Sequence, residues 1–288
     1  MTKAARRLAT LTVLVTGLVA SAARAQSPSP RPSAPPHETF FYTHDGLRLE
    51  AYFYRPDGDG PFPLVVYNHG SAPAGQEQVE WPAGFVGRLL PPAGYAVLVP
   101  ERRGYGKSEG PPFSAEVGDD RGPRYIARMR AEAGDLLAAA DHVTKDPAFR
   151  VDRGRRGMIG YSFGGIVTTL AVSGRTDFAG AVLQAPGALN WKHSPHLRAA
   201  LTSAADKIAI PIQCLVAEND ATTESARVVC AAAKKAPAEL KVYPPFTPTR
   251  QMNPGAAPGH ALFSPQGLPI WKSDVLAFLD KYVRGPRT

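Results

Sequence analysis

Gly157-Met158-Ile159-Gly160-Tyr161-Ser162-Phe163-Gly164-Gly165-Ile166-Val167-Thr168-Thr169-Leu170-Ala171-Val172 is the stretch on which the reading of this chain turns. Residues 157–161 form an apolar run of strand length, and residues 163–172 read as a helix. Between them, Gly-x-Ser-x-Gly brackets a serine. A strand entering, a sharp turn and a helix leaving would expose the Ser162 hydroxyl, and the flanking residues must be tiny because the two backbones come close there. The helix N-terminus adds free N–H groups and a positive dipole beside the hydroxyl. The same pattern recurs at Gly106-Lys107-Ser108-Glu109-Gly110. There Gly104 and Gly106 precede the serine and Pro111-Pro112 stop a helix from starting, so Ser108 reads as a loop residue. Nor do residues 101–108 make a phosphate-binding loop, because Glu101 stands where that motif needs glycine.

Outward from this turn, strand-length apolar runs alternate with helical stretches. Residues 40–43 and 47–55 flank Asp45-Gly46, a two-residue hairpin signal. Residues 64–67 are continuously apolar, as in a strand covered on both faces. A helix over 79–90 and a strand over 95–99 follow. In 125–143, Ile126, Met129, Ala133, Leu136, Leu137 and Ala140 recur at helical spacing. Strands over 179–183, 212–217 and 240–243 and helices over 225–235 and 268–282 complete the series. A hairpin followed by strand–helix units predicts an α/β fold: a mostly parallel central sheet with an N-terminal antiparallel hairpin and helices on both faces. Chemistry is then expected at the C-terminal ends of the strands.

A serine hydroxyl needs a base to take its proton, and imidazole has a suitable pKa near neutrality. Of the seven histidines, only His193, His196 and His260 follow Ser162, and only His260 follows the last strand. The acid belongs just past a strand end, between the serine and the histidine. Asp220 lies there, and Glu218, two positions nearer the strand, competes with it. Asp177 precedes a strand and Asp206 lies in or beside a short helix. Two N–H donors for a developing oxyanion are expected from Phe163, after the serine, and from Ser71, in the loop Asn68-His69-Gly70-Ser71, with His69 a structural loop residue. His193 and His196 are interrupted by Pro195 and lack further ligands, so neither metal nor cofactor is expected.

Composition bounds the rest. Lys3, Arg6 and Arg7, an apolar run over 8–20 and Ala23-Arg24-Ala25 read as a signal peptide, residues 1–25. The run is shorter than the ~20 residues a membrane span needs, so the mature chain is expected to be exported, periplasmic or secreted, without a span. Residues 26–38 are Pro/Ser-rich and read as a flexible leader, leaving 39–288 as a single domain. The whole chain carries +8, with 33 Lys/Arg against 25 Asp/Glu; without the four basic residues of 1–25 the balance is 29 against 25, or +4. That is an ordinary surface, not a nucleic-acid footprint, and the Arg102-Arg103 and Arg153–Arg156 clusters read as solvated loop charges. Cys214 and Cys230 fit either a disulfide or two buried apolar residues.

His69-Gly70, Gly94-Tyr95, Arg103-Gly104-Tyr105-Gly106-Lys107-Ser108, Gly160-Tyr161-Ser162-Phe163-Gly164-Gly165, Glu218-Asn219-Asp220 and Gly259-His260 together resemble the α/β-hydrolase superfamily. The likeness is to its dienelactone hydrolase-like and prolyl oligopeptidase-type branch. It differs from dienelactone hydrolases in using serine where they use cysteine, and the chain leaves no room for the oligopeptidase propeller. Residues 190–206 offer a loop and a short helix, hence little or no lid. The resemblance implies a serine hydrolase that cleaves small-molecule carboxylic esters through Ser162, His260 and Asp220 and an acyl-enzyme. A small-peptide or amide hydrolase with the same triad, or a non-catalytic binding module on this scaffold, are the alternatives.

Overall fold

The computed structural model describes residues 35–71, 84–120, 122–250 and 255–285. The expected signal peptide, the leader up to residue 34 and the start of the helix expected over 79–90 lie outside the described residues. Among the described residues, eight strands, β1 (Glu38–His44), β2 (Leu47–Tyr54), β3 (Phe62–Asn68), β4 (Ala96–Pro100), β5 (Val151–Tyr161), β6 (Gly180–Gln184), β7 (Ile212–Ala217) and β8 (Ala238–Tyr243), form one sheet. Their order is β1-β2-β4-β3-β5-β6-β7-β8. β2 pairs antiparallel with β1 and β4, and the other ladders are parallel. The hairpin turns where expected: His44 pairs with Leu47, and Asp45 (φ 49°) and Gly46 (φ 75°) both take the positive φ that such a tight turn requires.

Among the described residues, seven α-helices accompany the sheet: α1 (Gly84–Leu89), α2 (Phe113–Val117), α3 (Pro123–Lys145), α4 (Phe163–Val172), α5 (Pro195–Ala205), α6 (Glu224–Ala232) and α7 (Leu268–Leu279). The period-2 alternation of strands splits the core into two layers. On β3, Leu64 and Val66 face the layer covered by α3 to α6, while Val65 and Tyr67 face the layer covered by α1 and α7. β7 divides likewise, with Cys214 and Val216 on the first side and Leu215 and Ala217 on the second. Burying each large aliphatic contributes about 1.5–3 kcal/mol, so both faces of the central strands are stabilised. α5 starts where chemistry directs: Pro195 occupies its first turn and Ser194 Oγ accepts the Leu197 N–H at 3.1 Å.

Several expectations are revised. Glu38, inside the bounds expected for the leader, already begins β1, and the ring of His37 before it packs 5.6 Å from Tyr52 and 5.5 Å from Tyr54. Of the two readings left open for Cys214 and Cys230, the second holds: they are free thiols buried in the same apolar layer. Arg102 is 1 % exposed rather than solvated, and Arg103 donates to Asp135 at 2.7 and 2.6 Å. The Arg153–Arg156 cluster lies within β5 rather than in a loop, with Arg156 buried against Asp177 at 2.6 Å and Arg153 exposed. Arg102 and Arg103 can be withdrawn from solvent because α3 turns Glu132 and Asp135 inward beside Met129 and Leu136.

The first turn of α4 passes close to the end of β3. A Cβ on Gly164 would stand 2.0 Å from the Asn68 carbonyl oxygen and 2.5 Å from that of His69. Gly164→Ala is therefore expected to destabilise the protein by about 2–4 kcal/mol, read as a lowered urea midpoint at unchanged slope. A wild-type midpoint would refute this approach of backbones.

Candidate active site

Ser162 lies between β5 and α4 at φ 55°, ψ −111°, a conformation that residues with a Cβ rarely adopt. Its N–H donates to the Gln184 carbonyl at 2.8 Å and its own carbonyl accepts from Ile166 at 3.2 Å and Gly187 at 3.3 Å. The turn is thus tied to β6 on one side and α4 on the other. Glycine is obligatory around it: a Cβ on Gly160 would meet Gly164 O and Thr168 Oγ1 at 2.4 Å, and one on Gly165 would meet Pro186 Cα at 2.9 Å.

The three side chains picked out by chain order meet. His260, in the helical turn Pro258–Phe263 after β8, places Nε2 2.8 Å from Ser162 Oγ. Its Nδ1 lies 3.0 Å from each oxygen of Asp220. A nitrogen facing a carboxylate carries the proton, so Nδ1–H donates to Asp220 and Nε2 is left to accept the Ser162 hydroxyl. The Asp220 side chain is fully buried and also accepts the Ala221 N–H at 2.6 Å. Glu218 is exposed, its N–H bonded to Tyr243 O at 2.9 Å, so it is Asp220 that reaches the imidazole. A Cβ on Gly259 would stand 2.3 Å from Asn219 Oδ1, so glycine there lets the histidine turn settle onto the loop that holds Asp220.

The oxyanion expectations fall on two adjoining segments. Phe163 is the first residue of α4, where N–H groups have no acceptor within the helix. Ser71 is exposed and follows Gly70, on which a Cβ would stand 3.6 Å from Ser162 Cβ and 3.0 Å from the Tyr161 ring. His69 is fully buried, and burial together with the neighbouring Arg102 charge holds its imidazole far below the usual pKa. It is therefore neutral, with Nδ1–H donating to Gly70 O at 2.8 Å. That is a structural role, as expected.

Sequence reasoning missed three neighbours. The Tyr161 hydroxyl donates to the His260 carbonyl at 2.8 Å, and burial raises its pKa so that it stays a neutral donor. Phe113, on the unforeseen α2, packs edge-on to Phe163 at 5.4 Å. Arg102 donates to the carbonyls of His69 and Gly70, each at 2.7 Å. The available signal was α3, whose Arg128, Glu132 and Asp135 share the phase of its apolar residues. The decoy Ser108 is a brace, accepting the Glu50 N–H at 2.9 Å and donating to Glu101 O at 3.3 Å.

The sequence model of the X-Pro dipeptidyl-peptidase (S15) family matches residues 45–241, most of the chain. Among solved structures, the chain is similar to the Pyrococcus horikoshii acylaminoacyl peptidase, with 15 % identity and TM-score 0.66 over 88 % of this chain and 43 % of that one. The Pyrococcus furiosus esterase shares 20 % identity at TM-score 0.61 over 86 % of this chain and 92 % of its own. Est1E of Butyrivibrio proteoclasticus, solved with ferulic acid, shares 19 % at TM-score 0.62 over 85 % and 99 %. The chain thus spans less than half the length of the acylaminoacyl peptidase. Among the described residues no helix is long and apolar enough to cross a membrane. With its eight-stranded sheet, its glycine-bracketed serine and this family match, the chain is a serine hydrolase of α/β-hydrolase fold on the prolyl oligopeptidase-like branch, and it belongs to the X-Pro dipeptidyl-peptidase (S15) family.

Proposed function

We propose that this enzyme hydrolyses small carboxylic esters, with Ser162 as nucleophile, His260 as general base and acid, and Asp220 orienting the imidazole. The observation that carries the reading is the continuous hydrogen-bonded line from Ser162 Oγ through His260 to Asp220, 2.8 and 3.0 Å. His260 Nε2 takes the hydroxyl proton as Oγ attacks the ester carbonyl, and the Phe163 and Ser71 N–H groups hold the oxyanion. The tetrahedral intermediate collapses to an acyl-enzyme as His260 returns the proton to the leaving alcohol. Water, deprotonated by the same nitrogen, then releases the acid and regenerates Ser162. Esters come first because an alkoxide leaves more readily than an amine. The family match favours a second reading, hydrolysis of small peptides or amides by the same three groups. We also read residues 1–25 as a cleaved export signal and the mature enzyme as periplasmic or secreted.

A fluorophosphonate probe is expected to label wild type at Ser162 and not Ser162→Ala; an unlabelled wild type would favour a binding module instead. On a p-nitrophenyl ester panel, Asp220→Asn is expected to lower kcat by ~10²–10⁴, whereas Glu218→Gln stays within about twofold, a surface change. Equal losses in both variants would remove Asp220 from its role. Turnover of X-Pro or aminoacyl anilides with no ester activity would overturn the ester preference. Expressed with its native start in a secreting host, the mature protein should begin at Gln26 by N-terminal mass spectrometry; an intact residue 1 refutes export.

A further inference from the structure

We propose that Arg102 is a positioning residue for the oxyanion hole, which sets the direction and strength of the Ser71 N–H donor; this rests on the hydrolase reading above. Arg102 lies just past the end of β4, beside β3, and is 1 % exposed. Its guanidinium donates from Nη1 to His69 O and from Nη2 to Gly70 O, both at 2.7 Å, with a longer contact to Asn68 Oδ1 at 3.4 Å. Its Nε faces Glu132 Oε2 at 3.3 Å, and the plane lies over the Phe163 ring, 4.6 Å from the centroid. One planar fork therefore touches both segments that supply the oxyanion donors.

The consequence follows from the peptide unit. In a trans peptide the C=O and the N–H of the next residue point in opposite directions within one plane. Fixing Gly70 O on Arg102 and on His69 Nδ1 fixes the Ser71 N–H with it, and fixing His69 O does the same for Gly70. Glycine at 70 has no side chain to restrain that plane and would otherwise rotate freely. A positive donor on the carbonyl also polarises the amide, which strengthens its N–H as a donor. A lysine carries the charge but not the fork, and cannot hold both carbonyls and Glu132 at once.

The test uses Arg102→Lys and the paired change Arg102→Met with Glu132→Gln, which leaves no unpaired buried carboxylate. Melting temperature and near-UV circular dichroism report folding. Each is expected to lower kcat for a p-nitrophenyl ester by ~10–100-fold, below the loss of a whole oxyanion donor, with KM little changed. Affinity for a trifluoromethyl ketone, whose adduct with Ser162 puts an oxyanion in the hole, should weaken by the same factor. In a Ser71→Pro background, which lacks the N–H, Arg102→Lys should cost less than about twofold. Arg102 variants with wild-type kcat and ketone affinity, or losses that add fully to Ser71→Pro, overturn the inference. A wild type that neither turns over substrate nor takes up the fluorophosphonate sinks the hydrolase reading itself.

Discussion

Holding Ser162 at φ 55° costs about 1–3 kcal/mol for a residue with a side chain, and that cost must be offset by the structure around it. β5 is paired on both sides, to β3 and to β6, so the strand that delivers the serine cannot shift without breaking two ladders. The amide of Ser162 extends the β5–β6 pairing by one further hydrogen bond, to Gln184. α4 then has to start at once, and it does so against the β3 loop at distances only glycine permits. The backbone of Ser162 is thereby fixed at the C-terminal end of β5 by the rigidity of the core, and its hydroxyl is held against His260.

The second demand on stability is ionic. Arg102, Glu132 and Arg128 are nearly or fully buried, with Arg128 Nε 2.8 Å from Glu132 Oε1 and its Nη1 bonded to Glu116. Removing each charge from water costs several kcal/mol, which attraction inside a protein offsets only when every donor is used. Arg128 comes near that condition by donating to two carboxylates and to the carbonyls of Pro111, at 3.1 Å, and Arg103, while Arg102 donates both Nη groups to the carbonyls of His69 and Gly70 and faces Glu132 with Nε as an ion pair. These carbonyls belong to segments without regular structure. An apolar substitute would pack but would leave the loops free to choose other conformations. The chain of ions therefore contributes more to the shape of the β3 and β4 loops than to net stability.

Legibility in the sequence followed the range of the interaction. The hairpin at Asp45-Gly46, the run 163–172 and the strand before Ser162 are encoded by neighbours, and each appears where read. Ser162 and His260 were readable as a pair because strand, tiny residues and helix coincide at only one of two Gly-x-Ser-x-Gly sites, and one histidine follows the last strand. Arg102, read as a solvated charge, was not readable. Its burial depends on Glu132, thirty positions away along the chain, and on carbonyls whose directions no residue type announces. α2 was hidden for a similar reason: five residues behind Pro111-Pro112 have little propensity of their own, and Phe113 is held by Tyr125 and Phe163.

The choice between Glu218 and Asp220 shows how backbone bonding decides chemistry. β7 ends at Ala217, yet Glu218 keeps the register of the ladder through its N–H to Tyr243 O, which leaves its side chain in solvent. The chain turns only at the next step, where Asp220 N bonds back to Ala217 O at 3.1 Å. Asn219, between them, bonds Phe246 in both directions, at 3.0 and 2.9 Å, and so anchors the loop that follows β8. The histidine turn then settles onto Asn219 at Gly259. Asp220 and His260, 40 positions apart, are thus positioned by one patch of main chain. A short carboxylate suffices there because the backbone, not the side chain, covers the distance.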